Sequence, residues 1–200
     1  MKIIIDFGHG GKHPMTGKYV TAGKRMVKDG IEFYEGVNNR LLGYELVNAL
    51  ESKGYEVVMT ADTWRDISLT QRVNHVNEFA TKDDILISIH SDANGNGREW
   101  NSANGIGTWI SKKASRRSEQ LADSLNNSLI CNYEGVAKNR GIKKANFAIT
   151  TRTKCPAVLL ELGFHTNKEE VKKMMTNHWR GLAVKSIIEA IEEYQLKVNL

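Results

Sequence analysis

"PAVLLELGF", residues 156–164, is almost continuously apolar, yet it carries one carboxylate, Glu161, between Leu160 and Leu162. An apolar run without alternation suits a strand buried on both faces, as in a parallel sheet covered by helices. A carboxylate there loses its hydration, so it must be paired, metal-bound or functional to offset the loss. Working outward, "KIIID" (2–6), "YEVVMT" (55–60), "DILISIH" (84–90) and "GIGTWIS" (105–111) read as further strands, and "ANFAIT" (145–150) as a short one. Between them apolar residues recur at helical spacing over 37–52, stopped by Gly54, and over 68–80, with Ser68 as N-cap. Residues 115–130, 168–175 and 179–194 are helical in the same way. The alternation predicts an α/β fold of three layers, a twisted, mostly parallel β-sheet flanked by helices on both faces. Residues 1–194 form one domain. "QLKVNL" (195–200) has no packing pattern and reads as a frayed end or the stub of a linker.

The 200 residues suffice for a single core, and 40% apolar with 26% charged residues is ordinary for a soluble globular chain. No apolar run is long enough to span a membrane. Lys2 is followed by only three apolar residues before Asp6, too few for a secretory segment, so synthesis in the cytoplasm is expected. The net charge of +5 favours anionic partners, but the basic residues are dispersed and no nucleic-acid-binding signature appears. Cys131 and Cys155 form no C-x-x-C pair and read as buried or free thiols.

The odd polar residues fall where strands end. Strand 2–6 runs into His9, strand 84–90 ends on His90, and strand 157–162 carries Glu161. In open α/β sheets ligands bind beyond the carboxyl ends of parallel strands, so these side chains converge if the strands are neighbours. Singly, a histidine that ends a strand is commonly structural. Together, two imidazoles invite a third ligand, because metal-assisted hydrolysis needs three protein ligands and an open position. Glu32 and Glu35, ahead of the first helix, both qualify by spacing, and His13 is a weaker competitor.

The order of five segments resembles the zinc-dependent N-acetylmuramoyl-L-alanine amidases of the amidase 3 family. These are "DFGHGG" (6–11), "EGVNNRLLGYELVNALESKGYEVVMT" (35–60), "RDISLTQRVNHVN" (65–77), "ILISIHSDAN" (85–94) and "PAVLLELGFHTN" (156–167). They span roughly residues 2–170. Phe7 replaces the usual proline, Thr166 the usual serine, and Asp92 stands between Ser91 and Ala93. The resemblance implies one Zn²⁺ held by His9, Glu35 and His90, with Glu161 as the catalytic carboxylate. It also implies a peptidoglycan substrate, cut at the amide between N-acetylmuramic acid and L-alanine of the stem peptide. The enzyme would act on the bacterial wall, as a phage endolysin or as the catalytic piece of a longer enzyme. The competing readings are a zinc peptidase cutting within the stem peptide and a non-catalytic wall-binding domain.

"NGNGREWNSANGIG" (94–107) is rich in Gly and Asn and reads as a mobile loop beside the site, with Trp100 either stacking on sugar or pinning the loop. "DANGNG" (92–97) imitates a calcium loop, but its twelfth position is Ala103, which excludes that reading.

Overall fold

The structure, a computed structural model, describes residues 1–198. In chain order its elements are β1 (Ile3–Phe7), β2 (Arg25–Lys28), β3 (Ile31–Tyr34), α1 (Glu35–Ser52), β4 (Val57–Met59), α2 (Leu69–Phe79) and β5 (Ile85–Asp92). There follow β6 (Ile106–Ile110), α3 (Arg116–Asn132), β7 (Asn139–Lys144), α4 (Ala148–Thr151), β8 (Ala157–Phe164), α5 (Lys168–Met174) and α6 (Asn177–Val198). One six-stranded sheet has the order β4-β1-β5-β8-β6-β7. The first four strands are mutually parallel, β6 is antiparallel to β8, and β7 runs parallel with β6. The predicted mostly parallel sheet is therefore present, with two reversed strands at one edge.

Successive side chains of a strand point to opposite faces, and here that alternation separates core from site. Ile3, Ile5 and Phe7 of β1, Ile85, Ile87 and Ile89 of β5, and Val158, Leu160 and Leu162 of β8 pack with α1, α3 and α6 in the main core. The intervening Ile4, Leu86, Ala157 and Leu159 meet Val73 and Val76 of α2 and Ile149 of α4 in a smaller cluster. Continuing that second face towards the strand ends brings Asp6, Ser88, His90 and Glu161. Beyond α2 and α4 this face opens into a cavity lined by Asp6, His90 and Glu161, while Ser88 is fully buried.

Helix α2 begins as expected: Ser68 accepts from the Gln71 N–H, and the two residues form a capping box. Other expectations change. The strand expected at 145–150 is a turn into the short helix α4, with the Ala145 N–H donating to the Ile110 carbonyl at 2.9 Å. The last edge strand is instead β7, "NRGIKK", whose basic residues and internal glycine hide it from any apolar alternation. The expected frayed end is helical as far as Val198, and Val198 packs against the main core. Residues 199–200 lie outside the described residues.

Residues 25–34 form a β-hairpin, β2 with β3, turning on Asp29 and Gly30 at φ 52° and 74°. That Asp-Gly pair with both residues left-handed is the two-residue hairpin turn. The 94–107 segment, expected to be mobile, is laced down. The Asn94 N–H donates to Thr166 Oγ1 at 3.0 Å, the Asn101 N–H to the Thr166 carbonyl at 2.8 Å, and the Gly105 N–H to Glu170 Oε1 at 2.7 Å. Trp100 pins the loop: its Nε1 donates to Asp29 Oδ2 at 3.0 Å and its ring packs on the main core. No helix among the described residues is long and apolar enough to cross a membrane.

Candidate metal centre and active site

The loop after β1 carries His9 in a left-handed conformation, φ 63°, which L-residues adopt rarely and only when held. The turn is thus made by the histidine itself, and its glycine neighbours supply room. A Cβ on Gly8 would lie 2.4 Å from the His90 ring. The loop is clamped through its carbonyls: Asn39 Nδ2 donates to Gly8 O at 3.2 Å and Arg72 Nη2 to His9 O at 3.0 Å. The Gly10 N–H in turn donates to Thr21 Oγ1 at 2.8 Å.

Beneath the loop, Asp6 and Arg72 form a buried ion pair at 2.8 Å. Asp6 also accepts from Ser88 Oγ at 2.6 Å and from the Thr60 hydroxyl. Burial pushes the Asp6 carboxyl up, but Arg72 and the two hydroxyls outweigh it and hold the group below the ordinary aspartate range.

Glu35 is the first residue of α1 and is 1% exposed. Gly36 lets the helix start touch the loop, since a Cβ there would lie 1.9 Å from Gly10 O. Glu35 Oε1 accepts from the Ser91 N–H at 3.2 Å and stands 3.1 Å from His90 Nδ1 and 3.3 Å from His9 Nε2. One ligand atom from each of His9, Glu35 and His90 can be chosen so that all lie within 4.8 Å of one another. Spacing left Glu32 and Glu35 level, and the fold separates them. Glu32 is exposed on β3 and accepts from the Tyr34 hydroxyl at 3.2 Å. His13 is also apart, edge-on to Trp64 with ring centres 4.4 Å distant.

Two buried atoms of the cluster, His9 Nε2 and Glu35 Oε2, have no aligned hydrogen-bond partner. Buried polar atoms are normally satisfied, so two left without a partner within a cluster of this donor set fit a cation ligated there. Burial alone would raise the Glu35 carboxyl, but His9 and His90 overcome it and leave the group well below the usual range, hence ionised. His90 faces Glu161 across the β5–β8 ladder. Burial drives the Glu161 carboxyl well above its ordinary value, Glu35 and Asp92 push the same way, and Lys24 and Arg140 only partly oppose them. Its Oε2 is likewise buried without a partner. Both histidines and Glu161 line one cavity of about 600 Å³, whose other wall is apolar, from Leu69, Phe147 and Ile149.

His165 escaped the sequence reading, although it lies within the quoted 156–167 block. It is 1% exposed, behind the centre, and its Nδ1 donates to the Ser91 carbonyl at 3.2 Å and lies 3.8 Å from Glu35 Oε2. Burial lowers its proton affinity, so it backs Glu35 as a neutral ring. Asp92, the first residue of the imitation calcium loop, is occupied by Arg140 Nη1 at 2.8 Å. Cys155 is buried and its thiol is pushed up to about 12, so it is a poor nucleophile.

The sequence profile of the family described as "N-acetylmuramoyl-L-alanine amidase", Amidase_3, matches residues 3–193. A Staphylococcus epidermidis protein named "Probable cell wall amidase LytH" is 28% identical over 192 residues, which are 96% of this chain and 57% of that protein. The chain thus spans little more than half the length of this relative. The crystal structure of an N-acetylmuramoyl-L-alanine amidase from Clostridium difficile 630 superposes with a TM-score of 0.82 at 28% identity, covering 97% of this chain and 96% of that one. The catalytic domain of the amidase CwlV from Bacillus (Paenibacillus) polymyxa gives 0.78 at 25% identity, covering 98% of each chain. With a match running from the first strand into the last helix, this chain belongs to the N-acetylmuramoyl-L-alanine amidase family Amidase_3.

Proposed function

We propose that this domain hydrolyses peptidoglycan at the amide between the lactyl group of N-acetylmuramic acid and L-alanine, with His9, Glu35 and His90 holding one zinc ion. The observation that carries the reading is the convergence of these three side chains, two of which line one cavity with a second, buried carboxylate, Glu161. Two imidazoles and one carboxylate are an established zinc-binding set. When bound, zinc supplies Lewis acidity, polarising a carbonyl and acidifying a water.

The chain's own residues divide the remaining work. Glu35 stays ionised and anchors. Glu161 lines the cavity beside His90, placed to take a proton from water as a carboxylate and return it to the leaving amine, and burial makes that carboxylate a stronger base than usual. The apolar wall and the loop carrying His9 exclude solvent from one side of the reacting bond.

The test couples metal analysis to a turbidity assay on purified walls. Chelation is expected to slow lysis on the order of 10³-fold, and added zinc to restore it. Mass spectrometry of the digest should find whole stem peptides beginning at L-alanine and free of sugar. Fragments cut between amino acids would instead identify a peptidase, and lysis indifferent to chelation would remove the metal altogether.

Gly36→Ala provides a geometric check. The added methyl collides with Gly10 O, so the helix start and the His9 loop must move apart. Zinc affinity is expected to fall about 10–100-fold, as for the loss of a supporting contact, in a competition titration with a chromophoric chelator.

A further inference from the structure

The space beside the centre does not end at Lys24. Beyond that residue a second groove of about 620 Å³ runs between β2 and the loop following β5, with His165 also in its wall. Lys24 lines both spaces. Gly23 and Lys24 are both left-handed, φ 66° and 50°, so the backbone turns where the two spaces meet. The hairpin tip is tied down at the other end. Lys28 pairs with Glu99, and Asp29 Oδ2 accepts from Trp100 Nε1 and Lys168 Nζ, each at 3.0 Å.

One wall of this groove is an unpaired strand edge. The two-residue Asp29-Gly30 turn makes Lys28 and Ile31 the hydrogen-bonded closing pair. Pairs alternate from there, so Val27 opposite Glu32 and Arg25 opposite Tyr34 are not hydrogen-bonded to each other. The N–H and C=O groups of Arg25 and Val27 therefore point away from β3, and among the described residues no backbone group outside the hairpin bonds to them. Val27, in the middle of this strand, is itself 54% exposed. Lys24, Arg25 and Arg98 line the groove without an ion pair among the described residues, although Lys28 beside them has one.

We propose that this groove holds the peptide arm of the substrate, extended along the free edge of β2, with its carboxylates facing Lys24, Arg25 and Arg98. The inference rests on the amidase reading and adds the side of the centre on which the peptide lies. Three observations choose this occupant. The groove adjoins the catalytic cavity at Lys24, and its cations match a peptide bearing free carboxylates. Four residues of β2 extend about 13 Å, enough for a short stem peptide. Strand addition to an exposed edge supplies main-chain hydrogen bonds whatever the side chains. The sugar then falls to the opposite cavity, against Leu69 and Phe147.

Val27→Pro removes one outward N–H without touching a hairpin bond, and edge strands tolerate proline. The paired charge reversal R25E/R98E tests the carboxylates separately. Both are assayed on soluble muramoyl peptides with stems of two and of four residues, the longer with free or amidated carboxylates. Val27→Pro is expected to raise KM for the four-residue stem about five- to tenfold, with kcat and the two-residue substrate unchanged. R25E/R98E is expected to raise KM for the free-carboxylate stem and spare the amidated one. Equal effects on short and long stems, or no effect on either, overturn the assignment. Calorimetry with the free four-residue peptide judges the groove independently: binding to the parent that Val27→Pro weakens supports it, and no binding to the parent rejects it. Failure of the parent to cut either substrate at the lactyl amide counts against the amidase reading alone.

Discussion

Glu161→Gln is expected to retain zinc as the parent does and to lose wall-lysing turnover by about 10²–10⁴-fold, the usual contribution of a positioned acid–base group. Glutamine keeps the shape and can still hydrogen-bond, but it cannot accept a proton and pass it on. The proposed ligands His9, Glu35 and His90 are untouched, so metal content should not change. The same substitution removes a carboxyl whose ionised form is opposed by burial and by Glu35 and Asp92. The variant's Tm should therefore equal or exceed the parent's. Metal content, turbidity and thermal unfolding on one preparation separate these effects. Lysis at the parental rate would falsify the proton-transfer role, and metal loss would show that Glu161 is a ligand instead.

Arg72→Met carries the largest expected cost in stability. The guanidinium is 2% exposed, pairs with Asp6, and donates to the His9 carbonyl. Removing one partner of a buried pair leaves the other charge uncompensated, at about 3–5 kcal/mol. For a domain of this size that lowers Tm on the order of 10 °C. The pH dependence has a definite sign. Asp6 is held below its unfolded value, so its contribution is complete above an unfolded pKa of about 3.9 and is lost as pH falls through the depressed folded value. Without Arg72 that depression shrinks, and the acid-unfolding midpoint should move to higher pH. A variant with the parent's Tm and acid midpoint would mean that Asp6 is satisfied by Ser88 and Thr60 alone.

Much of this arrangement is legible in the chain itself, and for physical reasons. Strands buried on both faces must be apolar, so β1, β5 and β8 announce themselves, and any polar residue among them stands out. That is how His90 and Glu161 are noticed. Glu35 is different. Its burial depends on Gly36 meeting Gly10 and on the β2–β3 hairpin leading into α1, neither of which leaves a spacing signal. The hairpin itself had a signal, Asp29-Gly30, masked by the polar residues around it. The edge strand β7 carries little apolar surface, so nothing in its pattern separates it from loop, whereas the apolar residues of 145–150 imitate a strand although only one short helical turn, α4, forms there. His165 is hidden for the opposite reason: a buried histidine reads like any residue of the apolar block it follows.

The division of β5 and β8 into a core-facing and a site-facing series has a consequence for how this domain tolerates change in length. Loss of a single codon within either strand would rotate His90 or Glu161 under α1 and α6 and push a leucine or isoleucine into the cavity. Loss of two would restore the facing but shorten the ladder. Insertions and deletions compatible with an intact centre are thus confined to the connections, and the spacing within these two strands is a more stringent signature of a working copy than the identity of their aliphatic residues.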